Sequence, residues 1–245
     1  MKVSISSLIL GLAALCFSTA SANERRFAVS REATTAPQGT VEIEEHIYWK
    51  KGSGFDTLKF RSEVEFGITD RFQLGFYLYD FEHAKEDGIR STKWEGSGIE
   101  AIYQLTDPNK SFIGSALYGE VLMNDTELEL EGKLLLQKNL GPLIVVYNAI
   151  VEAKWEDRYS HQVGVLEQTI GLSYQLHPSF SVGIEAKHEV ELDEWKHNGG
   201  NAVFVGPNVS FRKGSFFAAI AALARVTDIP GEPHLEVSTV VGFHF

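Results

Sequence analysis

The sequence predicts an all-β fold, a transmembrane antiparallel up-and-down barrel of twelve strands, on three observations. From Gly39 onward the chain is a series of segments that alternate apolar and polar residues. A period of two sends those sets to opposite faces of a sheet. The connections between segments alternate between tight and variable ones, and the aromatic residues collect at segment ends. Overall, 44% of the chain is hydrophobic and 22% charged. That mixture suits strands with one apolar and one polar face better than it suits helical membrane spans.

The expected strands cover residues 39–50, 56–68, 72–81, 93–105, 112–123, 126–137, 143–156, 162–175, 180–191, 202–211, 216–226 and 235–245. An even number returns both chain ends to one side. The connections on that side are short: Thr69-Asp70-Arg71, Thr106-Asp107-Pro108-Asn109, Lys138-Asn139-Leu140-Gly141-Pro142, His177-Pro178-Ser179 and Arg212-Lys213-Gly214. They carry the Asp, Asn, Pro and Gly that turns require. The other side has the longest connections, Glu82 to Thr92 and Asp193 to Asn201. Short periplasmic turns with longer external loops are the pattern of transmembrane barrels, which predicts both termini in the periplasm.

Aromatic residues test this layout independently. Phe66, Phe72, Tyr103, Phe112, Tyr174, Phe180, Phe211, Phe216 and Phe245 fall at the short-turn ends, and all four Trp (Trp49, Trp94, Trp155, Trp195) at the opposite ends. Two aromatic girdles are expected where a barrel meets two lipid headgroup layers. Trp49, Phe72, Trp94, Phe112, Trp155, Phe180 and Phe216 are the expected interface residues. Three places break the pattern. Glu45 falls on the outward face of the first strand, which predicts a bulge or register shift there. Pro207 sits inside a strand, where it cannot donate to the ladder. Glu167 and Gln168 cannot both face inward without a bulge.

The last segment, Leu235-Glu-Val-Ser-Thr-Val-Val-Gly-Phe-His-Phe245, alternates to a terminal Phe, with Phe243 and Phe245 on one face. It resembles the closing strand of Gram-negative outer-membrane β-barrel proteins, where this strand is the signal read by the insertion machinery. Phe66-Gly-Ile-Thr-Asp-Arg-Phe72 also resembles a turn common in such barrels. The resemblance extends over Gly39 to Phe245 and implies an outer-membrane location with lipid and that machinery as partners. The N-terminus agrees: Lys2, the apolar Leu8 to Phe17 and Ala20-Ser21-Ala22 read as a signal peptide over residues 1–22. Leu15 before Cys16 argues against a lipoprotein site. Cys16 is the one cysteine, so cleavage leaves neither disulfides nor thiolate metal ligands.

Residues 23–38 precede the barrel (39–245) without alternation and are locally basic through Arg25, Arg26 and Arg31. This tail either hangs in the periplasm or folds into the lumen as a plug. The whole chain has a formal charge of −11, which argues against nucleic acid as a partner.

Any chemistry must lie in the lumen. Its expected lining is Glu42, Glu44, Lys59, Arg61, Glu63, Glu65, Glu127, Glu129, Glu131, Lys133, Glu152, Lys154, Glu185, Lys187 and Glu189, with His46, Glu100, Glu120, Glu167, Glu191, Arg225 and Glu236. The expected hairpin registers set Glu44 opposite Arg61, Glu42 opposite Glu63, His46 opposite Lys59, Glu127 opposite Lys154, Glu129 opposite Glu152 and Lys133 opposite Asn148. Acids outnumber bases, so an open lumen should prefer cations. The expectation is a passive pore for small hydrophilic solutes. A non-conducting structural or adhesive barrel is the alternative, and an outer-membrane hydrolase a more distant one. No nucleophile–base pair is evident: His161-Gln162-Val163-Gly164 lacks the Ser of outer-membrane phospholipases, His188 precedes Glu189, and Asp80, Asp193 and His197 stand apart near the rim. His188 and His197 make no metal motif, and no cofactor is expected.

Overall fold

The computed structural model describes residues 25–197 and 200–245. The expected signal peptide, its cleavage after Ala22, Cys16 and the first residues of the tail lie outside them. The strands are β1 (Val41–Lys51), β2 (Phe55–Thr69), β3 (Phe72–Glu86), β4 (Ile89–Trp94), β5 (Ser97–Thr106), β6 (Gly114–Met123), β7 (Leu128–Leu140), β8 (Leu143–Glu156), β9 (His161–His177), β10 (Phe180–Asp193), β11 (Lys196–His197), β12 (Ala202–Lys213), β13 (Phe216–Arg225) and β14 (Leu235–His244). Twelve of these form a ring in which each strand pairs antiparallel with its neighbours, and β14 closes on β1. The terminal residue is stitched into that seam, since Phe245 N–H donates to Val41 O at 2.8 Å. Both ends of the barrel domain therefore lie at one end of the cylinder.

The two remaining strands correct the expected loops. Glu82 to Thr92 is not irregular: β3 runs on to Glu86 and pairs with β4 as a hairpin. Asp87 and Gly88 at its tip have φ of 48° and 86°, the left-handed pair a two-residue hairpin turn requires. A smaller hairpin joins the end of β10 to β11 through Glu194 and Trp195, both also at positive φ. These extensions project from the loop end of the ring.

The distribution of polarity is inverted relative to a water-soluble core. Leu78, Phe81, Ile99, Leu117, Leu130, Val151, Leu166, Ile170, Ile184 and Ile220 are exposed on the outside. Glu42, Glu44, Glu63, Glu65, Gln73, Asp80, Glu100, Asn148, Glu185 and Asn208 are buried inside. A continuous apolar outer face needs hydrocarbon around it. Exposed Phe112, Phe180, Phe243 and Phe245 stand at the terminus end, where Phe216 packs on Phe243 with ring centroids 5.1 Å apart. Trp94 is exposed towards the loop end, while Trp49 and Trp155 are half-buried.

Two registers differ from expectation by two residues because their turns centre elsewhere, and in a hairpin the turn fixes the register. Ser53 and Gly54 turn β1 into β2, so Glu44 faces Glu63, Glu42 faces Glu65 and His46 faces Arg61. Gly141 and Pro142 turn β7 into β8, so Glu129 faces Lys154, Glu131 faces Glu152 and Lys133 faces Ile150. The bulge expected at Glu45 is absent, since β1 is regular against both neighbours. It lies instead in β3: Ser62 pairs with Tyr79 but Glu63 with Tyr77. The extra residue turns both Leu78 and Tyr79 outward, and Tyr79 Oη donates to Glu45 at 2.7 Å. The outward charge is thus hydrogen-bonded on the surface. In β9, Glu167 is half-buried with the inward set and Gln168 points outward, accepting from Tyr147 Oη at 2.8 Å. Pro207 is exposed, and the β12–β13 pairing skips Gly206 and Pro207 before resuming unshifted.

Candidate functional site: a lumen crossed by its own N-terminal segment

Residues 25–38 run inside the barrel. Phe27, Ala33 and Ala36 are at most 1% exposed, a burial that a tail in water would not show. The segment reaches the inner face of every strand in the ring. Arg25 joins Glu44 on β1, and Arg31 joins Glu65 on β2 and Glu100 on β5. Gln73 on β3 accepts from Ala36 N–H at 2.7 Å, Gln104 on β5 donates to Ala33 O, and Gln137 on β7 accepts from Ala33 N–H. Asn148 on β8 accepts from Arg31 N–H at 2.7 Å and donates to Arg31 O at 2.9 Å. Ala33 packs with Ala116 and Tyr118 of β6. Phe27 lies against Gly171 of β9, where a methyl group would overlap its ring. Asn208 on β12 donates to Arg26 O, while Ala28 packs on Phe217 and Ala219 of β13 and Val240 of β14.

Glu185 on β10 binds three consecutive residues of the segment. Its carboxylate is fully buried and accepts from three consecutive backbone N–H groups, Ala28 and Val29 at 3.0 Å and Ser30 at 2.6 Å. Among the described residues the segment has no partner strand, so these wall side chains supply the hydrogen bonds its buried backbone needs. It leaves the lumen past the β2–β3 turn, where Asp70 accepts from Gln38 N–H and Thr35 Oγ1. Gly67 leaves no room for a side chain there, since a Cβ would lie 1.9 Å from Pro37 O.

Towards the loop end the wall pairs with itself. Asp80 is fully buried and takes Arg61 at 2.8 Å and Lys59 at 3.3 Å. Arg61 also reaches Glu120 at 3.2 Å and lies 4.2 Å from the Tyr77 ring centroid. Lys133 pairs with Glu131, Lys154 with Glu152 and Glu129, and Lys187 with Glu189 and Glu236. Glu127 precedes β7 and sits at the rim, bound to Lys93 at 2.7 Å. Between the segment and these ladders lies a cavity of about 180 Å³ lined by His46, Tyr48, Arg61, Glu63, Tyr77 and Lys133, among others.

Of the expected lumen residues, Glu42, Glu44, Glu63, Glu65, Glu100, Glu120, Glu185, Lys187 and Glu236 are buried inside the ring and Glu191 is exposed at its mouth, and the expected pairs differ as described. Asp80 and Asp193 are not isolated: Asp80 anchors a charge network, and Asp193 meets His161 at 2.7 Å on the rim. His188 points outward and meets Asn201 at 3.0 Å. Arg225 donates to the carbonyls of Ile229 and Glu232 and so orders the last loop. The observed register brings one ligand atom each of Glu44, His46 and Glu63 within 4.8 Å of one another, a grouping that the sequence reading did not consider. Sequence reasoning also missed the amides Gln73, Gln104, Gln137 and Asn208, and placed Asn148 inward only as the partner of Lys133. The inward position of the four without a charged partner was the available signal.

The model of a family of unknown function, DUF6662, matches residues 19–234. The chain belongs to this family. No curated protein matches it in sequence. Among solved structures, the COG4313 outer membrane channel from Pseudomonas putida F1 is similar with a TM-score of 0.60 at 12% identity, over 87% of this chain and 98% of that one. The NanC porin follows with a TM-score of 0.53 at 10% identity, over 83% of this chain and 98% of that one. The KdgM porin, solved in complex with disordered oligogalacturonate, has a TM-score of 0.50 at 11% identity over 83% and 98%. At such identities the shared property is the fold. This DUF6662 member has the closed twelve-strand antiparallel barrel fold of those outer-membrane channels and porins.

Proposed function

We propose that this barrel is a channel for small hydrophilic solutes whose lumen is closed at rest by residues 25–38 and opens when that segment shifts. The observation that carries the reading is the contact of one segment with the inner face of all twelve ring strands. The polar wall supports passage, because a barrel meant only to be filled could use apolar packing inside. The resemblance in fold to outer-membrane channels points the same way. Short turns on the side of the termini support a periplasmic placement of both ends, so the segment would enter from the periplasm. The inward carboxylates outnumber the inward bases even after Arg25 and Arg31 join them, which supports a preference for cations once open.

The same crossing favours a second reading, a barrel that never conducts and serves the envelope as a rigid body. Planar-bilayer conductance separates the two. Wild-type protein should show rare or small openings, and a variant lacking residues 25–38 should show a several-fold larger, steady, cation-preferring conductance. A folded deletion variant that stays silent would sink the channel reading, and an anion-preferring current would refute the selectivity.

A further inference from the structure

The terminus half of the lumen holds more buried carboxylate than its partners neutralise. Glu44, Glu63, Glu65 and Glu100 are each at most 2% exposed. Arg25 and Arg31 are the guanidiniums that pair among them. Arg25 takes Glu44 at 2.5 Å and reaches Glu65 at 3.6 Å, and Arg31 takes Glu65 at 2.7 Å and Glu100 at 3.2 Å. Glu63 is left with neither. Among the described residues its Oε1 is buried without a hydrogen-bond partner, and its Oε2 stands 3.9 Å from His46 Nε2. Glu65 Oε2 is likewise buried without a partner. Uncompensated buried charge is costly, so four carboxylates beside two guanidiniums call for further positive charge.

The geometry supplies a place for it. One ligand atom each from Glu44, His46 and Glu63 lie within 4.8 Å of one another, and the same holds for Glu63, Glu65 and Glu100. Ligands about 2.1 Å from a common ion stand roughly 3–4 Å apart, so only small rotations close this set. His46 Nδ1 is 3.3 Å from Tyr48 Oη, an orientation that frees Nε2 to face Glu44 at 2.9 Å and Glu63. A ligating imidazole is usually held through its other nitrogen in this way. His46 and Glu63 both line the 180 Å³ cavity, so the position opens to lumen water. We propose that Glu44, His46 and Glu63 form a binding site for a divalent transition-type cation, with Glu65 and Glu100 behind them. One nitrogen with carboxylates suits Zn²⁺ or Mn²⁺, whereas Mg²⁺ and Ca²⁺ prefer oxygen alone. The site rests on side-chain geometry and does not depend on whether the barrel conducts.

The test uses the full mature protein, without an affinity tag, folded in detergent and stripped with chelator. Calorimetric titration with ZnCl₂ should show one saturable site, and MgCl₂ should bind at least tenfold more weakly. Glu63→Gln and His46→Gln should each weaken Zn²⁺ by roughly tenfold or more, the loss known for even outer partners of a metal ligand. Glu191→Gln, at the loop-side mouth, should leave it unchanged. Should either variant fail to fold, the wild type still decides: pulsed EPR of the Mn²⁺ form must show a directly bound imidazole nitrogen. Absence of a saturable site, equal affinity in folded Glu63→Gln and His46→Gln, or an oxygen-only Mn²⁺ spectrum would overturn the assignment. A wild type that takes no Zn²⁺, with a Glu63→Gln variant of higher thermal stability, would show that protons balance the carboxylates instead.

Discussion

The two halves of the lumen satisfy their polar groups in different ways. At the loop end, wall pairs with wall: Arg61 with Asp80 and Glu120, Lys133 with Glu131, Lys154 with Glu152. At the terminus end, the wall is completed by residues 25–38: Glu185, Asn148, Gln73 and Gln137 accept backbone N–H groups, and Glu44, Glu65 and Glu100 take Arg25 and Arg31. The loop-side ladders would survive removal of the segment with their partners intact. The terminus-side groups would lose theirs and need water, protons or cations in exchange. A barrel that needed only rigidity could have used ladders throughout, so the terminus half is where a change of state costs and stores the most.

The comparison breaks most easily at Arg31. Arg31→Ala should destabilise the closed state by about 3–5 kcal/mol, the usual penalty for orphaning buried charge. Bilayer recordings should then show openings far more frequent than in wild type. An unchanged closed probability would mean that the segment is held by packing rather than by charge.

Glu185→Ala comes next. It leaves the N–H groups of Ala28, Val29 and Ser30 without their carboxylate, of which only that of Ser30 is fully buried, so the loss should be about 1–3 kcal/mol, the cost of one unsatisfied buried group. Denaturant titration followed by tryptophan fluorescence, together with protease susceptibility of the segment, would measure it. Glu185→Gln should lie between wild type and Ala, because an amide oxygen still accepts.

The smallest effect is expected from the other half. Lys154 has a 35% exposed side chain within a wall–wall pair, so Lys154→Ala should shift unfolding by about 0–1 kcal/mol. The segment should stay as protected as in wild type. Equal liberation of the segment by Lys154→Ala and Arg31→Ala would erase the distinction between the halves.

Much of this architecture was legible in the sequence because a transmembrane barrel writes its constraints locally. Period-two alternation, short turns on one side, aromatic ends and a closing strand ending at Phe245 each follow from the pleat and from the lipid boundary. They determined the ring of twelve strands, though not the added β4 and β11. The inward direction of Glu185 or Arg61 was readable for the same reason. What tertiary structure decided are the matters on which alternation is silent. A shift of two residues keeps every side chain on its face, so the pattern could not distinguish Glu44 facing Arg61 from Glu44 facing Glu63; the turns at Ser53-Gly54 and Gly141-Pro142 did. The β3 bulge, which turns Asp80 inward and gives Glu45 its tyrosine, is one extra residue with no signature in composition. The path of residues 25–38 had no periodicity to reveal it, because its hydrogen bonds go to side chains spread around the whole ring. Those side chains are brought together only when the sheet closes on itself.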